Sequence, residues 1–264
     1  MRWHEKFLLV FFASFPRVPM SLLKQVEDKG VTVAWSPLNE ARTLLAAGSK
    51  EGAGGGFDDY GGELQVFDAD FSTPGAGMVP LGGAKTTMKF NCLAWGQTNT
   101  PGHGHGLIAG GMGDNSVCVW DPAALIAGAG DGAMVGRVVD AHTAPVTALE
   151  FNPHATGSTL LASGGSDAEV KIINLAAPGA PVVMDPAAPG NSKHAADITA
   201  VGWNSQVVHI LASASANGSC IIWDLRQKKP WCELRDPNRA PVSDIAWNPD
   251  EGLHIITASG DDAR

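Results

Sequence analysis

The chain has 264 residues, 44% of them hydrophobic and 17% charged, a balance that fits a globular protein with a large core and excludes a disordered one. A net charge of −9 argues against a general binder of nucleic acid or of anionic membranes. Thirty-two glycines and seventeen prolines are scattered so that no helical apolar stripe longer than about three turns survives, which makes helix a poor competitor.

Residues 1–19 read as a leader. Arg2 and Lys6 precede the apolar run Phe7–Phe15, which has the form of a secretory signal and, at nine residues, is too short to span a bilayer. Met20 is an alternative start, because Ser21–Gln25 then leads straight into the first strand. The leader is therefore either an untranslated extension ahead of the true start or a targeting segment.

From there one strand-turn-strand pattern is written five times. The first copy has Val33–Pro37 around Trp35, then Leu44–Gly48, then Val66-Phe67-Asp68. Between its second and third strands lies Gly52–Gly56, which lacks the Gly-Lys-Ser/Thr of a phosphate loop. Asp58 and Asp59 beside it have no positioned third ligand for a cation. The second copy has Cys92–Trp95, Leu107–Gly111 and Val119-Trp120-Asp121. Its loop holds His103-Gly104-His105, two rings with no expected Cys or acidic partner, which is not a metal site. The Gly-x-Gly-x-x-Ala run at 128–133 then leads into Met134–Val139, which reads as an outer strand. A dinucleotide site needs that run directly after a buried strand and opening a helix, so the nucleotide reading fails.

The third copy has Ala148–Pro153 around Phe151, Leu160–Gly164 and Ile172-Ile173-Asn174. The fourth has Ala200–Asn204 around Trp203, Ile210–Ala214 and Ile222-Trp223-Asp224, with a glycosylation sequon at Asn217-Gly218-Ser219 that matters only in a secreted protein. Arg226, Lys228, Lys229, Arg235 and Arg239 follow, read as a solvated outer strand and loop, with a site for an acidic partner as the alternative. The fifth copy has Asp244–Pro249 around Trp247 and Ile255–Ser259.

The aromatic anchors Trp35, Trp95, Phe151, Trp203 and Trp247 are 60, 56, 52 and 44 residues apart. A repeat of this size whose third strand ends in Trp-Asp or its echo is the mark of a propeller blade. Short apolar runs fit strands covered on both faces by neighbouring blades. The expected fold is all-β: a WD-repeat β-propeller of four complete blades plus part of a fifth, over residues 20–264.

Aligned on their second strands, the copies put Asp114, Asp167, Asn217 and Asp262 at one turn position. In WD-repeat blades an Asp there bonds a His before the first strand, which bonds a Ser/Thr of strand two and the Trp of strand three. Copy three offers His142, Ser163 and Asp167, with Ile173 in place of Trp; copy four offers His194, Ser213 and Trp223, with Asn217 in place of Asp. These residues, with Trp120, Asp121 and Asp224, are read as structural. The four cysteines show no Cys-x-x-Cys spacing, and three lie in expected buried strands, which points to a reducing, cytosolic compartment. No catalytic, metal or cofactor constellation emerges.

Several stretches go beyond a generic blade. The runs Cys232–Pro237, Ala240–Asp250, Gly252-Leu253-His254 and Thr257–Asp262, with Val33–Pro37, Leu149–Pro153 and Leu160–Gly165, resemble the N-terminal propeller of the large outer-cage subunit of the COPII vesicle coat. The resemblance covers roughly residues 20–264, and its specific part is the last sixty residues. It implies a seven-bladed propeller at cage vertices, then a blade donated to a smaller WD-repeat outer-coat subunit, a helical solenoid, and a Pro-rich segment that contacts the inner coat and its small GTPase. The implied role is mechanical: a cytoplasmic scaffold at endoplasmic reticulum exit sites that helps bud vesicles toward the Golgi, with only indirect membrane association. Against that pattern the sequence stops after the second strand of the fifth copy, so a fragment or a truncated gene model is expected. Two other functions stand beside this one: a WD-repeat adaptor for another intracellular complex, and a secreted propeller hydrolase. The hydrolase would need convergent carboxylates or histidines at the channel mouth, and the inner-strand starts supply no repeating set.

Overall fold

The computed structural model describes residues 30–38, 41, 43–50, 61–69, 78–189, 193–235 and 237–259. The leader, residues 21–26, the Gly52–Gly56 insertion with Asp58 and Asp59, and Asp262 lie outside the described residues. Four antiparallel four-stranded sheets and one two-stranded sheet follow one another along the chain. Blade 1 is β1 (Val31–Trp35), β2 (Leu44–Ser49), β3 (Gly62–Asp68) and β4 (Val79–Thr86); blade 2 is β5 (Phe90–Gly96), β6 (Leu107–Met112), β7 (Val117–Trp120) and β8 (Met134–Val138). Blade 3 is β9 (Val146–Phe151), β10 (Leu160–Gly165), β11 (Val170–Asn174) and β12 (Val182–Met184); blade 4 is β13 (Ile198–Trp203), β14 (Ile210–Ser215), β15 (Ser219–Asp224) and β16 (Lys229–Arg235). Blade 5 contributes β17 (Val242–Trp247) and β18 (Ile255–Ser259).

The inner strands β1, β5, β9, β13 and β17 pack in sequence, each on the next, and among the described residues the sheets do not close into a ring. The fold is thus the expected β-propeller architecture as an open arc. Its core is divided among four seams, one between each pair of neighbouring blades. Leu161 and Ile173 fill the seam between blades 2 and 3; Leu211 and Ile221 fill the next one. Both faces of a middle blade are therefore buried, which is why its strands read as continuous apolar runs.

Close approach of the blades sets the glycine positions. A Cβ on Gly96 would sit 2.1 Å from the Phe151 ring, so the ring of blade 3 lies directly on the backbone of blade 2. Each inner strand from β5 to β17 also carries a register shift near its start, and in β9 and β13 the side chain it frees, Thr147 or Thr199, reaches the next blade. One element was not expected. A five-residue helix, α1 (Pro122–Ile126), separates β7 from β8, with Pro122 in its first turn and the Asp121 carboxylate accepting the Ala123 N–H at 2.8 Å.

Candidate functional site

The polar groups that sequence analysis singles out fall into separate clusters within the blades. In blade 3, His142 stands between Asp167 (Nδ1 to Oδ1, 3.1 Å) and Ser163 (Nε2 to Oγ, 2.9 Å). A carboxylate only accepts, so His142 donates from Nδ1 and takes the Ser163 hydroxyl proton on Nε2. Burial holds His142 below its ordinary pKa, against the pull of Asp167. Burial raises Asp167, but the N–H groups of Thr143 and Glu169 and the His142 ring outweigh it and keep the carboxyl low. Ile173 offers no donor, so this chain of bonds ends at Ser163.

Blade 4 solves the same problem differently. The Trp223 indole donates to Ser213 Oγ at 2.8 Å, and Ser213 lies 2.7 Å from His194 Nε2. Nδ1 of His194 meets Ser219 Oγ at 3.0 Å, and the Ser219 hydroxyl reaches Asn217 Oδ1 at 2.7 Å. One direction of donation satisfies every member: Trp223 to Ser213 to His194, then His194 to Ser219 to Asn217. Ser219 is the member that the sequence does not reveal, and it bridges Asn217 and the His194 ring. Burial pushes His194 down to about 4, so it is neutral at physiological pH. Asn217 of the sequon is engaged in this network, and Ser219 is buried.

Blade 2 has no such histidine. Gly110 replaces the serine, and a Cβ there would lie 2.5 Å from Phe90, whose ring packs on Trp120 with centroids 5.6 Å apart. Asp114 instead accepts from Ser116 at 2.6 Å and pairs with Arg137 at 2.6 Å. One expectation is corrected: His103 does have an acidic partner, because Nδ1 lies 2.9 Å from Asp121 Oδ2. Pairing of Trp120 with Ile108 sets the end of β7 beside the loop that enters β6, a proximity that linear spacing hides. The Gly-x-Gly-x-x-Ala run follows α1, passes through a single 3-10 turn at Gly130–Ala133 and enters β8, so no helix begins at it.

The aromatic anchors serve the seams. Trp95, Phe151 and Trp203 are buried, and Trp35 and Trp247 are partly buried. Trp203 donates its indole N–H to the Glu150 carbonyl of the blade before at 3.0 Å, and Trp247 does the same to Gly202 at 2.9 Å. Asn152 reaches the Val208 carbonyl at 2.8 Å, and Asn204 the Gly252 carbonyl at 2.7 Å. The out-turned hydroxyls of Thr147 and Thr199 donate to the Ile198 and Val242 carbonyls of the following blade. Three tiers of bonds thus stitch blade 3 to 4 and blade 4 to 5. Asp224 closes β15 and caps the turn to β16 through the N–H groups of Arg226 and Gln227.

Glu150 is the odd residue in this frame. Its equivalents Ala34, Ala94, Gly202 and Ala246 are small, whereas its carboxylate enters the seam and accepts the Trp203 backbone N–H. Burial pushes its pKa up to about 7. The thiols of Cys92 and Cys220 are raised by burial to about 12, so both stay protonated; Cys232 is exposed. Among the described residues no cluster of His, Cys, Asp and Glu has the arrangement of a metal site. A cleft of about 110 Å³ beside His194 and Trp223 is well under the roughly 300–1,000 Å³ usual for small-molecule sites.

Comparison with known proteins matches residues 136–263 to a family described as the N-terminal β-propeller domain of nucleolar protein 10-like proteins. Among solved structures, an outer coat vertex of COPII on membranes superposes with a TM-score of 0.67 at 24% identity, covering 89% of this chain and 59% of that one, a likeness of fold. The protein transport protein SEC31 of Dictyostelium discoideum is 35% identical over 251 residues, 92% of this chain and 18% of that protein. Human protein transport protein Sec31A is 33% identical over 243 residues, 91% of this chain and 19% of that protein. Across nine-tenths of its length the chain is a homologue of the Sec31 protein transport proteins, and it spans about a fifth of their length.

Proposed function

We propose that the chain is a scaffold component of the COPII outer coat in transport from the endoplasmic reticulum to the Golgi, acting through protein–protein contacts and without catalysis. The observation that carries this reading is the 35% identity to a Sec31 protein over 92% of the chain. The polar clusters support it: their donors and acceptors are spent on each other and on neighbouring blades, as structural groups are. In this reading Trp35, Trp95, Trp120, Asp121, His142, Phe151, Ser163, Asp167, His194, Trp203, Ser213, Trp223, Asp224 and Trp247 hold blades together, and residues 20–264 form the propeller unit behind the leader at 1–19. The partners are the smaller WD-repeat outer-coat subunit and the inner coat, and the place is the cytoplasmic face of endoplasmic reticulum exit sites.

Expression of the tagged chain, followed by co-purification and imaging, tests the reading. Coat subunits in the purified material, with the tag at exit sites, are the expected result. Recovery of an unrelated complex, with the tag elsewhere, would favour the adaptor reading.

A further inference from the structure

The outer strand of blade 4 has features that a scaffold role through the seams does not use. β16 pairs with β15 on one side, and among the described residues no strand pairs with its other side. An edge of this kind presents backbone N–H and C=O groups ready for another strand. Its side chains do not shield it: Trp231 is 59% exposed and Leu234 43%. Exposed basic residues bracket the strand, with Arg226, Lys228 and Lys229 at the end where β15 turns into β16, and Arg235 and Arg239 at the other. They stand in a chain whose net charge is −9.

The other outer strands lack this combination. In blade 1, Lys85 of β4 pairs with Glu63 at 3.2 Å, and in blade 2, Arg137 of β8 pairs with Asp114 at 2.6 Å. Blade 3 exposes Val182, Val183 and Met184 on β12, but the nearby Lys171 is taken by Asp185 at 2.7 Å. On β16, Arg235 likewise pairs with Glu233 at 2.8 Å, so the basic character of the strand lies at the end joined to β15, where Arg226 and Lys229 are exposed. Lysines on an edge are by themselves a guard against aggregation; a tryptophan exposed between them is the opposite of a guard.

We propose that β16 is a docking edge for an extended acidic segment of another protein, which adds to blade 4 as a fifth strand. Main-chain hydrogen bonds would hold it in register, an apolar side chain would cover Trp231, and carboxylates would lie against the basic end at Arg226 and Lys229. Trp and Arg are the residue types that most often dominate such contacts. The footprint is one strand wide on an otherwise acidic molecule, which suits a peptide better than a membrane or a nucleic acid, whose charge would meet repulsion beyond that ribbon.

The test uses the whole chain and a fluorescein-labelled ten-residue peptide of alternating Glu and Val, read by fluorescence anisotropy. Saturable binding is expected, weakened at least about tenfold by Trp231→Ala and by Lys229→Glu, and weakened by added salt. Both side chains are exposed, so both variants keep the fold, and Val183→Thr on β12 should bind as the parent does. Slower amide exchange at residues 229–235 in the presence of peptide would place the added strand. Absence of saturable binding, equal affinity of the Trp231→Ala variant, or equal affinity for a Lys-Val peptide would overturn the proposal. So would binding of phosphatidylserine vesicles, with no binding of the peptide, that the same variants abolish.

Discussion

Ser213 accepts the indole proton of Trp223 and gives its own to His194, so removing its hydroxyl orphans two buried groups at once. Ser213→Ala is expected to cost about 1–3 kcal/mol, whereas Ser163→Ala, which deprives only His142, should cost about half as much. Urea denaturation of both variants measures this, and equal losses would contradict the dependence of two buried groups on Ser213. Two titrations then act in opposite senses. His194 has its pKa lowered from 6.5 to about 4, so between those values the unfolded chain takes a proton that the folded one refuses; stability is lost as pH falls through that window. Glu150 is raised from 4.5 to about 7, so the folded chain keeps a proton that the unfolded one releases, and stability is lost as pH rises through that window. Glu150→Gln removes the second effect alone. Relative to the parent, its urea midpoint should climb between about pH 4.5 and pH 7, with little further change above. A difference independent of pH would show that the Glu150 carboxyl is solvated.

At the scale of the element, the seam is the unit that holds the arc together, and its hydrogen bonds recur in register. Thr147 and Thr199 sit at the same register shift and donate to the same carbonyl of the following blade. Thr199→Val keeps the shape and deletes the bond to Val242. The expected cost is about 0.5–1.5 kcal/mol, seen as faster amide exchange in β17 and β18 with little change in blade 2. Uniform acceleration across all blades would mean that the seams do not open one at a time. The strands themselves were legible in the sequence, because a short apolar run ending in an aromatic, followed by a small-residue strand, encodes burial on both faces. The partnership of His103 with Asp121 was not, since it depends on how the loop before β6 lies over the end of β7. Nor was the Ser219 relay, because a buried serine at the start of a strand looks like any other small residue. Glu150 visibly precedes its anchor where the other copies carry Ala or Gly, but its burial against the Trp203 backbone was hidden.

At the scale of the molecule, each blade is a platform for the next. Ala212 and Ala214 of blade 4 are fully buried by blade 5, while Ile256, the residue of blade 5 that corresponds to Ala212, is 73% exposed. The described arc therefore ends in a blade flank of the same design as the buried ones. Resemblance to a coat subunit was legible over residues 20–264 and most specific from Cys232 onward, and the homology spans nine-tenths of the chain. If this propeller works as we propose, in the manner of its relatives' propellers, it should replace one of them. Residues 20–264 are placed in the Dictyostelium relative in place of the region they match, and export of a secreted reporter from the endoplasmic reticulum is followed. Export at the parental rate is the predicted result; a chimera made at normal levels that leaves the reporter in the endoplasmic reticulum would contradict the claim.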